Sequence, residues 1–308
     1  MKPFTSFFHN PLLRDIATAS GYFTPVSITD KEGELMTTGL RSGNFVPRTI
    51  FYFDIKNKIS TLGEETLKDL LAKINSLCSK DVFVEIRNLN TSAIQTDVFR
   101  QFGFQWKDWY NFHVSVSQEE ELINQLLPGK KRQIKRSIEN AVVCTEAESL
   151  EEVMDFYDIL KKVYRTRVRK PLPDRNFFKA FYEKAQGVGH GKVLVVKHGN
   201  KVIAGMLCPI DSGREMYEWY VAGLDREYKG KGIYPSVMIT WGAIKYASDH
   251  GIPVFNFMGA GEPSKPYGVR DFKMQFGGEL INSGRFIRIN KPRLYKLGEM
   301  YFKLREIV

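Results

Sequence analysis

The chain has 308 residues, which is enough for two domains of ordinary size. With 43% hydrophobic and 26% charged residues, the composition is that of a folded globular protein, and it excludes a fibrous or disordered chain. Three widely separated cysteines, Cys78, Cys144 and Cys208, exclude a disulfide framework and the usual zinc spacings. The cysteine pattern suits a reducing compartment, and we expect no metal site. Because no stretch approaches the roughly 18 consecutive apolar residues of a membrane span, we expect a cytoplasmic protein.

The net charge of +10 is concentrated in two segments. Residues 130–136 contain five basic side chains, and residues 161–170 contain six. Such clusters favour anionic partners, among them RNA, phospholipid head groups and substrates that carry a pyrophosphate. The alternative interpretation is a solvated helix face that only keeps the protein soluble.

The first half of the chain alternates predicted strands and helices. Strands are predicted at residues 49–54, 82–86 and 111–116. A capping-box pattern at residues 61–64 predicts the start of a helix, because leucines follow it at helical spacing. This half is α/β in character and contains no obvious reactive constellation.

Further helix starts are predicted in the centre of the chain. Ser117 and Ser149 each precede a glutamate by three residues, as in a capping box, and Asp174 is suited to cap a short helix. Pro128 and Gly129 are expected to break the helix that precedes the first basic segment.

The C-terminal half has a clear order of predicted elements. A meander of three strands is followed by a glycine-rich turn, an amphipathic helix, a buried strand, a short helical segment and a final strand. Counted from a first strand at residues 141–145, the order is β-α-α-β-β-β-α-β-α-β. The predicted strands lie at residues 141–145, 192–197, 202–210, 215–221, 254–258 and 285–289.

The turn between the strand at 215–221 and the next helix reads Glu227-Tyr-Lys-Gly-Lys-Gly232. Backbone N–H groups at the start of a helix form a natural phosphate site. Gly230 and Gly232 would let the backbone approach a phosphate, while Lys229 and Lys231 would add charge. The alternative is an ordinary loop between a strand and a helix.

This element order resembles the GNAT acyltransferase fold, although Glu227 stands where the pyrophosphate motif of that family has Gln or Arg. A closer resemblance is to the Fem-type (FemABX) aminoacyltransferases, which build peptidoglycan interpeptide bridges on two tandem GNAT-like domains. The similarity runs from about residue 83 to 288, and residues 131–136 look like the basic helix that opens the second domain of that family. Four segments carry most of it, at residues 225–228, 241–247, 256–259 and 272–278.

The resemblance implies an α/β fold with mixed sheets and two tandem GNAT-like domains. We predict a degenerate domain over residues 1–128 and a domain with the donor site over residues 129–308. The implied activity is transfer of an acyl or aminoacyl group to an amine, with a peptidoglycan precursor as the leading acceptor. One alternative is an acyl-CoA-dependent N-acyltransferase that acts on another amine. The other is a non-catalytic protein that binds RNA or a membrane surface.

The implied donor is a co-substrate, either aminoacyl-tRNA or acyl-CoA, and no tightly bound cofactor is expected. Implied partners are tRNA and a lipid-linked or nucleotide-linked cell-wall precursor, which would bring the protein to a membrane surface. DNA is not expected as a partner, and the oligomeric state is left open.

The resemblance also suggests site residues. Phe272 and Lys273 would lie at the donor site, where Lys273 would stabilise an oxyanion. Amine acylation needs a base, for which Glu218, Asp271 and Tyr267 are the candidates. Glu218 would have a raised pKa if it is buried in its apolar strand rather than facing solvent. No His pairs with a Ser or Cys, which argues against a catalytic triad. Donor binding is assigned to Lys229, Gly230, Lys231, Gly232 and Phe272, and acceptor or phosphate binding to Lys131, Arg132, Lys135 and Arg136.

Overall fold

The computed structural model describes residues 6–31, 33–43, 46–53, 63–89 and 96–307, with side chains up to residue 301. The chain divides into two compact units. Unit 1 comprises Met1–Asn111, Glu262–Ser264 and Ile281–Val308, and unit 2 comprises Phe112–Gly261 and Lys265–Leu280. This division into compact units does not coincide with the predicted domain boundary after residue 128. The boundary itself stays a prediction.

Unit 1 is built on a mixed six-stranded sheet with the order β1-β2-β3-β4-β14-β5. Strands β3 and β4 run parallel, whereas β14 is antiparallel to both β4 and β5. The strands are β1 (Thr24–Thr29), β2 (Leu35–Ser42), β3 (Arg48–Phe53), β4 (Phe83–Asn88), β5 (Gln105–Lys107) and β14 (Arg285–Ile289). The helices are α1 (Pro11–Ser20), α2 (Glu64–Leu77), α3 (Thr96–Gln101) and α10 (Pro292–Ile307).

The core of unit 1 confirms the predicted apolar stripe of α2 except at its last position, Leu77, which is exposed. Leu67, Leu70, Leu71 and Ile74 of α2 are buried in one cluster with alternate residues of the central strands. Because side chains alternate along a strand, Phe51 and Phe53 lie on that face while Tyr52 lies on the other. Residue 61 of the predicted capping box and residue 54 of the predicted strand lie outside the described residues.

Unit 2 contains an eight-stranded sheet with the order β13-β6-β12-β10-β9-β8-β7, in which β11 pairs with β9. The strands are β6 (Tyr110–Ser115), β7 (Val142–Glu146), β8 (Gly191–His198), β9 (Lys201–Asp211), β10 (Glu215–Tyr217), β11 (Tyr220–Gly223), β12 (Val254–Gly261) and β13 (Glu279–Asn282). The helices are α4 (Glu119–Gln125), α5 (Pro128–Glu139), α6 (Leu150–Val163), α7 (Arg175–Phe181), α8 (Pro235–Asp249) and α9 (Gly268–Met274).

Helices α6 and α8 cover opposite faces of the second sheet. A Cβ atom at Gly205 of β9 would lie 2.4 Å from the ring of Phe156 in α6, and one at Gly242 of α8 would lie 2.2 Å from the Cys144 Sγ atom in β7. Gly205 pairs with Val195, and Cys144 pairs with the next residue of the same strand, so the two contacts lie on opposite faces. These glycines let the helices approach the sheet closely, which fixes their positions.

Two of the predicted helix starts in the centre of the chain are confirmed. The Ser149 hydroxyl accepts a hydrogen bond from the Glu152 N–H at 3.3 Å, and the Asp174 carboxylate accepts one from the Phe177 N–H at 3.2 Å. The capping box at Ser117 is wrong, because α4 starts one residue later, with Gln118 as its N-cap. The helix break before the basic segment is confirmed by the gap between α4 and α5.

Two predictions about strands need correction. The strand predicted at residues 215–221 is two strands, β10 and β11, because Glu218 and Trp219 lie between them. The strand at 285–289, predicted as the last of the C-terminal domain, pairs with β4 and β5 in the sheet of unit 1. In the part of the chain that the structure describes, no helix is both long and apolar enough to cross a bilayer.

Candidate functional site

Two parallel strands of unit 2 separate in the middle of the sheet. Strand β10 pairs with β12 from Glu215 to Tyr217, and the Glu218 N–H donates a last hydrogen bond to the Asn256 carbonyl at 2.9 Å. From Trp219 onward the chain bonds to β9 instead, and β11 pairs with that strand. The result is a wedge between β11 and the second half of β12, which opens toward the carboxyl ends of two parallel strands. Ligands of open α/β sheets bind at such positions.

A buried ion pair lies at the apex of this wedge. The Lys273 ammonium of α9 is 3.1 Å from the Glu218 Oε1 atom, and the two residues are only 4% and 8% exposed. The same ammonium donates to the carbonyl oxygens of Phe257 at 2.6 Å and Gly259 at 3.1 Å. A lysine has three N–H donors, so Lys273 has an acceptor for each of them. The Lys273 ammonium therefore provides hydrogen bonds to carbonyl groups of β12 at the point where β10 no longer pairs with that strand.

The backbone of β12 is adapted to this arrangement. Met258, between the two carbonyl groups that accept from Lys273, has a φ of 55°. Its N–H group donates to the Asn256 Oδ1 atom at 2.6 Å, and the Asn256 amide donates to Glu215 at 2.7 Å. The buried Asn256 side chain thus secures the left-handed turn in β12 and holds β10 and β12 together just before they separate.

Glu218 has the environment expected of a general base. Burial raises the pKa of its carboxyl group above the usual value, and the charge and hydrogen bond of Lys273 only partly oppose this. A carboxylate with a raised pKa accepts a proton more readily near neutral pH. The interpretation that Glu218 faces solvent on an alternating strand is wrong.

The structure does not bring the second candidate base to this pair. Asp271 is exposed in the first turn of α9, and its described contacts are local: its N–H bonds to the Tyr267 carbonyl, and its own carbonyl accepts from Gln275. Phe272 is half-buried, and its ring lies 5.2 Å from that of Phe276.

Lys130 is a site residue that sequence reasoning missed. It is 5% exposed, and its Nζ atom lies 4.4 Å from the centre of the Phe272 ring and 5.6 Å from that of Phe276. Burial lowers the pKa of Lys130, whereas the charge of Asp225 opposes this shift. Lys130 therefore lies beside the Phe272-Lys273 motif, and its charge interacts with that of Asp225, which precedes the glycine turn. No local feature of the sequence separates it from the exposed lysines next to it.

The other basic residues of α5 lie on its outer side. Lys131 is half-buried, and Arg132, Lys135 and Arg136 are exposed. Lys135 lies 4.0 Å from Glu139 of the same helix. None of these four has a described contact with the Lys273–Glu218 pair.

The glycine turn has the backbone conformation that its sequence predicts. Gly230 and Gly232 have φ values of 82° and 73°, which favour glycine. Lys229 and Lys231 are exposed, and the Lys231 ammonium lies 5.2 Å from the centre of the Tyr228 ring.

The start of α8, however, is already occupied by an acidic side chain. The Asp225 Oδ1 atom accepts from the Ser236 N–H at 3.1 Å, and its Oδ2 atom accepts from the Ser236 hydroxyl at 2.5 Å. The Tyr234 N–H donates to the Ser137 hydroxyl at 3.1 Å. The N–H groups of Tyr234 and Ser236, at the start of this helix, therefore already have acceptors within the protein.

Glu227, the residue that departs from the GNAT motif, points to a different part of the unit. Its carboxylate forms an ion pair with Lys162 at the end of α6, and its second oxygen lies 3.7 Å from the Lys201 ammonium. The hydrogen bond from Lys162 lowers the pKa of Glu227. Glu227 therefore joins the glycine turn to the second basic segment. Among the described residues, no three His, Cys, Asp or Glu side chains form a cluster that could hold a metal ion.

Residues 129–274 match the family model described as "Acetyltransferase (GNAT) domain". This match covers the wedge, the glycine turn and the Lys273–Glu218 pair, and it defines the class of the protein: the chain is an acyltransferase with a GNAT domain. The predicted α/β fold with two tandem GNAT-like domains is also confirmed.

Similar solved structures cover nearly the whole chain. The structure of FemX has a TM-score of 0.68 at 15% sequence identity and covers 96% of this chain and 95% of its own. L-PGS from Bacillus licheniformis has a TM-score of 0.61 at 12% identity, covering 95% and 91%. The C-terminal domain of a putative lysylphosphatidylglycerol synthetase from Agrobacterium fabrum has 0.58 at 11%, covering 94% and 96%. At these identities the likeness is one of fold. No curated protein matches the chain significantly.

Proposed function

We propose that this protein transfers an aminoacyl group from aminoacyl-tRNA to an amine of a peptidoglycan precursor. The observation that carries the choice of donor is the Asp225 cap on α8. The start of a helix favours anions through its free N–H groups and its dipole. Here the carboxylate of Asp225 already takes that role. The pyrophosphate of an acyl-CoA would have to approach this negative charge.

The wedge gives a second reason against acyl-CoA. An extended ligand that carries amide groups binds an opened strand pair through free backbone donors and acceptors. On the wedge side of β12, the carbonyl groups of Phe257 and Gly259 already accept from Lys273. The amide-bearing arm of coenzyme A would have to share these carbonyl groups with a buried ammonium. An aminoacyl ester has no such arm and needs no strand-like pairing.

The proposed reaction is direct attack of the acceptor amine on the ester carbonyl carbon of the donor. A C–N bond forms, the C–O bond to the terminal ribose breaks, and the ribose oxygen leaves with a proton. We assign Glu218 as the base that takes the proton from the amine, since its raised pKa suits that step. The Lys273 ammonium already has three acceptors within the protein, so we assign it to holding the Glu218 carboxylate in place. To stabilise an oxyanion, the ammonium would have to release one of these three acceptors.

The acceptor is proposed from the resemblance to FemX and the basic side chains of α5. Lys131, Arg132, Lys135 and Arg136 would bind phosphates of a lipid-linked or nucleotide-linked precursor. The similarity to structures named as lysylphosphatidylglycerol synthetases supports an aminoacyl donor as well. It makes phosphatidylglycerol the second candidate acceptor.

The test offers both donor classes at once. Purified protein is incubated with a mixture of aminoacyl-tRNAs and acetyl-CoA, with a peptidoglycan precursor and with phosphatidylglycerol vesicles, and products are identified by mass spectrometry. We expect an aminoacylated precursor, no acetylated product, and no rise of the melting temperature with acetyl-CoA. The matched control is Glu218→Gln, which keeps the side-chain shape and should abolish the product. An acetylated product, or a clear rise of the melting temperature with acetyl-CoA, contradicts the proposal.

A further inference from the structure

The second basic segment forms a strap along one side of unit 2. We define the basic strap as residues 164–170, which follow α6. Between residues 159 and 173 the sequence contains six basic side chains and no acidic one. The strap consists of one wide helical turn, Tyr164–Val168, followed by Arg169 with a φ of 54°. The proposed reaction assigns no role to these residues.

The basic strap is anchored at both of its ends beside β11. At its start, Lys162 pairs with Glu227 of the glycine turn, which follows β11 in the chain. After its end, Phe177 of α7 packs against Trp219 and Tyr220, with ring centres 5.4 Å and 6.1 Å apart. The residues between these two anchors therefore pass along β11, which forms one side of the wedge.

The turn itself is held by local hydrogen bonds. The Arg169 N–H donates to the Tyr164 carbonyl at 2.7 Å, and the Thr166 hydroxyl donates to the Lys162 carbonyl at 2.9 Å. This arrangement leaves the arginine side chains at 165 and 167 exposed. Neither has a carboxylate partner among the residues that the structure describes. The positive charges of Arg165 and Arg167 are therefore available to a ligand.

Aromatic side chains lie at the second anchor of the basic strap, where Phe177 packs. Trp219 and Tyr220 are half-buried, and the π-faces of such rings are suited to stack on bases. Unpaired arginines beside partly exposed aromatic rings are the combination by which proteins bind single-stranded nucleic acid, through its phosphates and its bases. A lipid surface would use the charge but not the stacking.

We propose that the basic strap binds the phosphodiester backbone of the donor RNA next to its aminoacylated end. This rests on the proposed function, because it presumes an RNA donor. Glu227 then has a clear role: its pairing with Lys162 fixes the start of the strap, which explains why an acidic residue stands at that position of the glycine turn. The donor reaches the wedge along β11, with Arg165 and Arg167 on its phosphates.

The test measures binding of uncharged tRNA by fluorescence anisotropy at several salt concentrations. The variant is Arg165→Ala/Arg167→Ala. The control is Lys179→Ala/Lys184→Ala, which removes two exposed positive charges from α7 and the turn after it. Loss of two phosphate contacts should reduce the slope of log affinity against log salt by about 1.4 and weaken binding by about 25-fold at 0.1 M salt. The control should change binding by less than about threefold.

A second variant, Glu227→Gln, should weaken tRNA binding although it makes the protein more positive, because it releases the anchor of the strap. Equal losses in the arginine variant and the lysine control would overturn the proposal, since only net charge would then matter. So would a loss of binding to anionic vesicles with unchanged binding to tRNA. The binding assay measures no transfer, so its outcome is independent of the proposed reaction. If tRNA binds through the basic strap but no transfer product forms, only the proposed reaction is contradicted. If transfer from tRNA occurs but the arginine variant binds tRNA as well as wild type does, only the proposed role of the basic strap is contradicted.

Discussion

Removal of the Lys273 ammonium is the perturbation whose effect the structure defines best. Lys273→Met keeps most of the side-chain volume but removes a charge that is 3.1 Å from the buried Glu218 carboxylate. The carbonyl groups of Phe257 and Gly259 also lose their donor. The variant therefore leaves a buried carboxylate without its partner and two backbone acceptors without theirs.

The expected loss of stability is large. Breaking a buried ion pair by removing one partner costs about 3–5 kcal/mol, because the remaining charge stays desolvated. For a protein unit of 150–250 residues this corresponds to a fall of the melting temperature by roughly 6 to 20 °C. In the double variant Glu218→Gln/Lys273→Met the buried charge is gone as well. Its total loss should be smaller than the sum of the two single losses by about 1–3 kcal/mol.

The pH dependence has a definite sign. Burial raises the pKa of Glu218, and loss of Lys273 removes the main effect that opposes this rise. Between the unfolded and the folded pKa, the native state then binds more protons than the unfolded state, so the free energy of unfolding falls as the pH rises. The stability difference between wild type and Lys273→Met should therefore grow as the pH rises above the ordinary carboxyl pKa of about 4.5 and shrink as the pH falls toward it.

The assay is thermal unfolding of wild type, both single variants and the double variant at matched pH values. Wild type at each pH corrects for the titration of other groups. A loss below about 1 kcal/mol in Lys273→Met, or losses that simply add in the double variant, would show that the two side chains do not interact as described. A loss that does not change with pH would refute the assignment of a raised pKa to Glu218.

Two further predictions concern other buried charges. Burial alone would raise the pKa of Glu85, but Arg87 and Arg285 lower it to about 2, so the carboxylate contributes about 3 kcal/mol at neutral pH, and this is lost as the pH falls from about 4.5 to 2. The melting temperatures of wild type and Glu85→Gln should therefore converge in that range, and a constant difference would contradict the ion pairs. Lys130→Met should change stability by no more than about 2 kcal/mol, since an apolar side chain replaces a buried charge on aromatic rings. It should nevertheless lower kcat/KM for aminoacyl transfer at least tenfold, and full activity would place Lys130 outside the site.

Features set by near neighbours in the sequence were predictable. Ser149 and Asp174 cap their helices because the cap and the N–H that it accepts lie three residues apart. Leu67, Leu70 and Leu71 of α2 are buried because their spacing matches the helical repeat. Gly230 and Gly232 adopt positive φ because glycine has no Cβ to oppose it. The resemblance directed attention to Lys273, and a charged residue in an otherwise apolar strand directed attention to Glu218; the structure brings the two into contact.

Other features depend on partners far away in the chain. Residues 215–221 look like one continuous strand in the sequence. In the structure the strand is interrupted at Glu218, and the Lys273 ammonium of α9 donates to carbonyl groups of β12 in place of the neighbouring strand. Strand β14 pairs with β4, and periodicity alone does not reveal which sheet a strand joins. Of two adjacent lysines in α5, only Lys130 lies on the rings of Phe272 and Phe276.

The sequence by itself determined the class of the protein, the helix starts at Ser149 and Asp174 and the glycine turn, because these rest on local spacing and on motifs. Only the tertiary structure decided what the charged residues do. It directed Asp225 to the start of α8, Glu227 to Lys162, and Lys273 to Glu218. The physical reason is that the effect of a charge depends on its burial and on the charges within a few ångströms, and both are set by chain segments that only folding brings together.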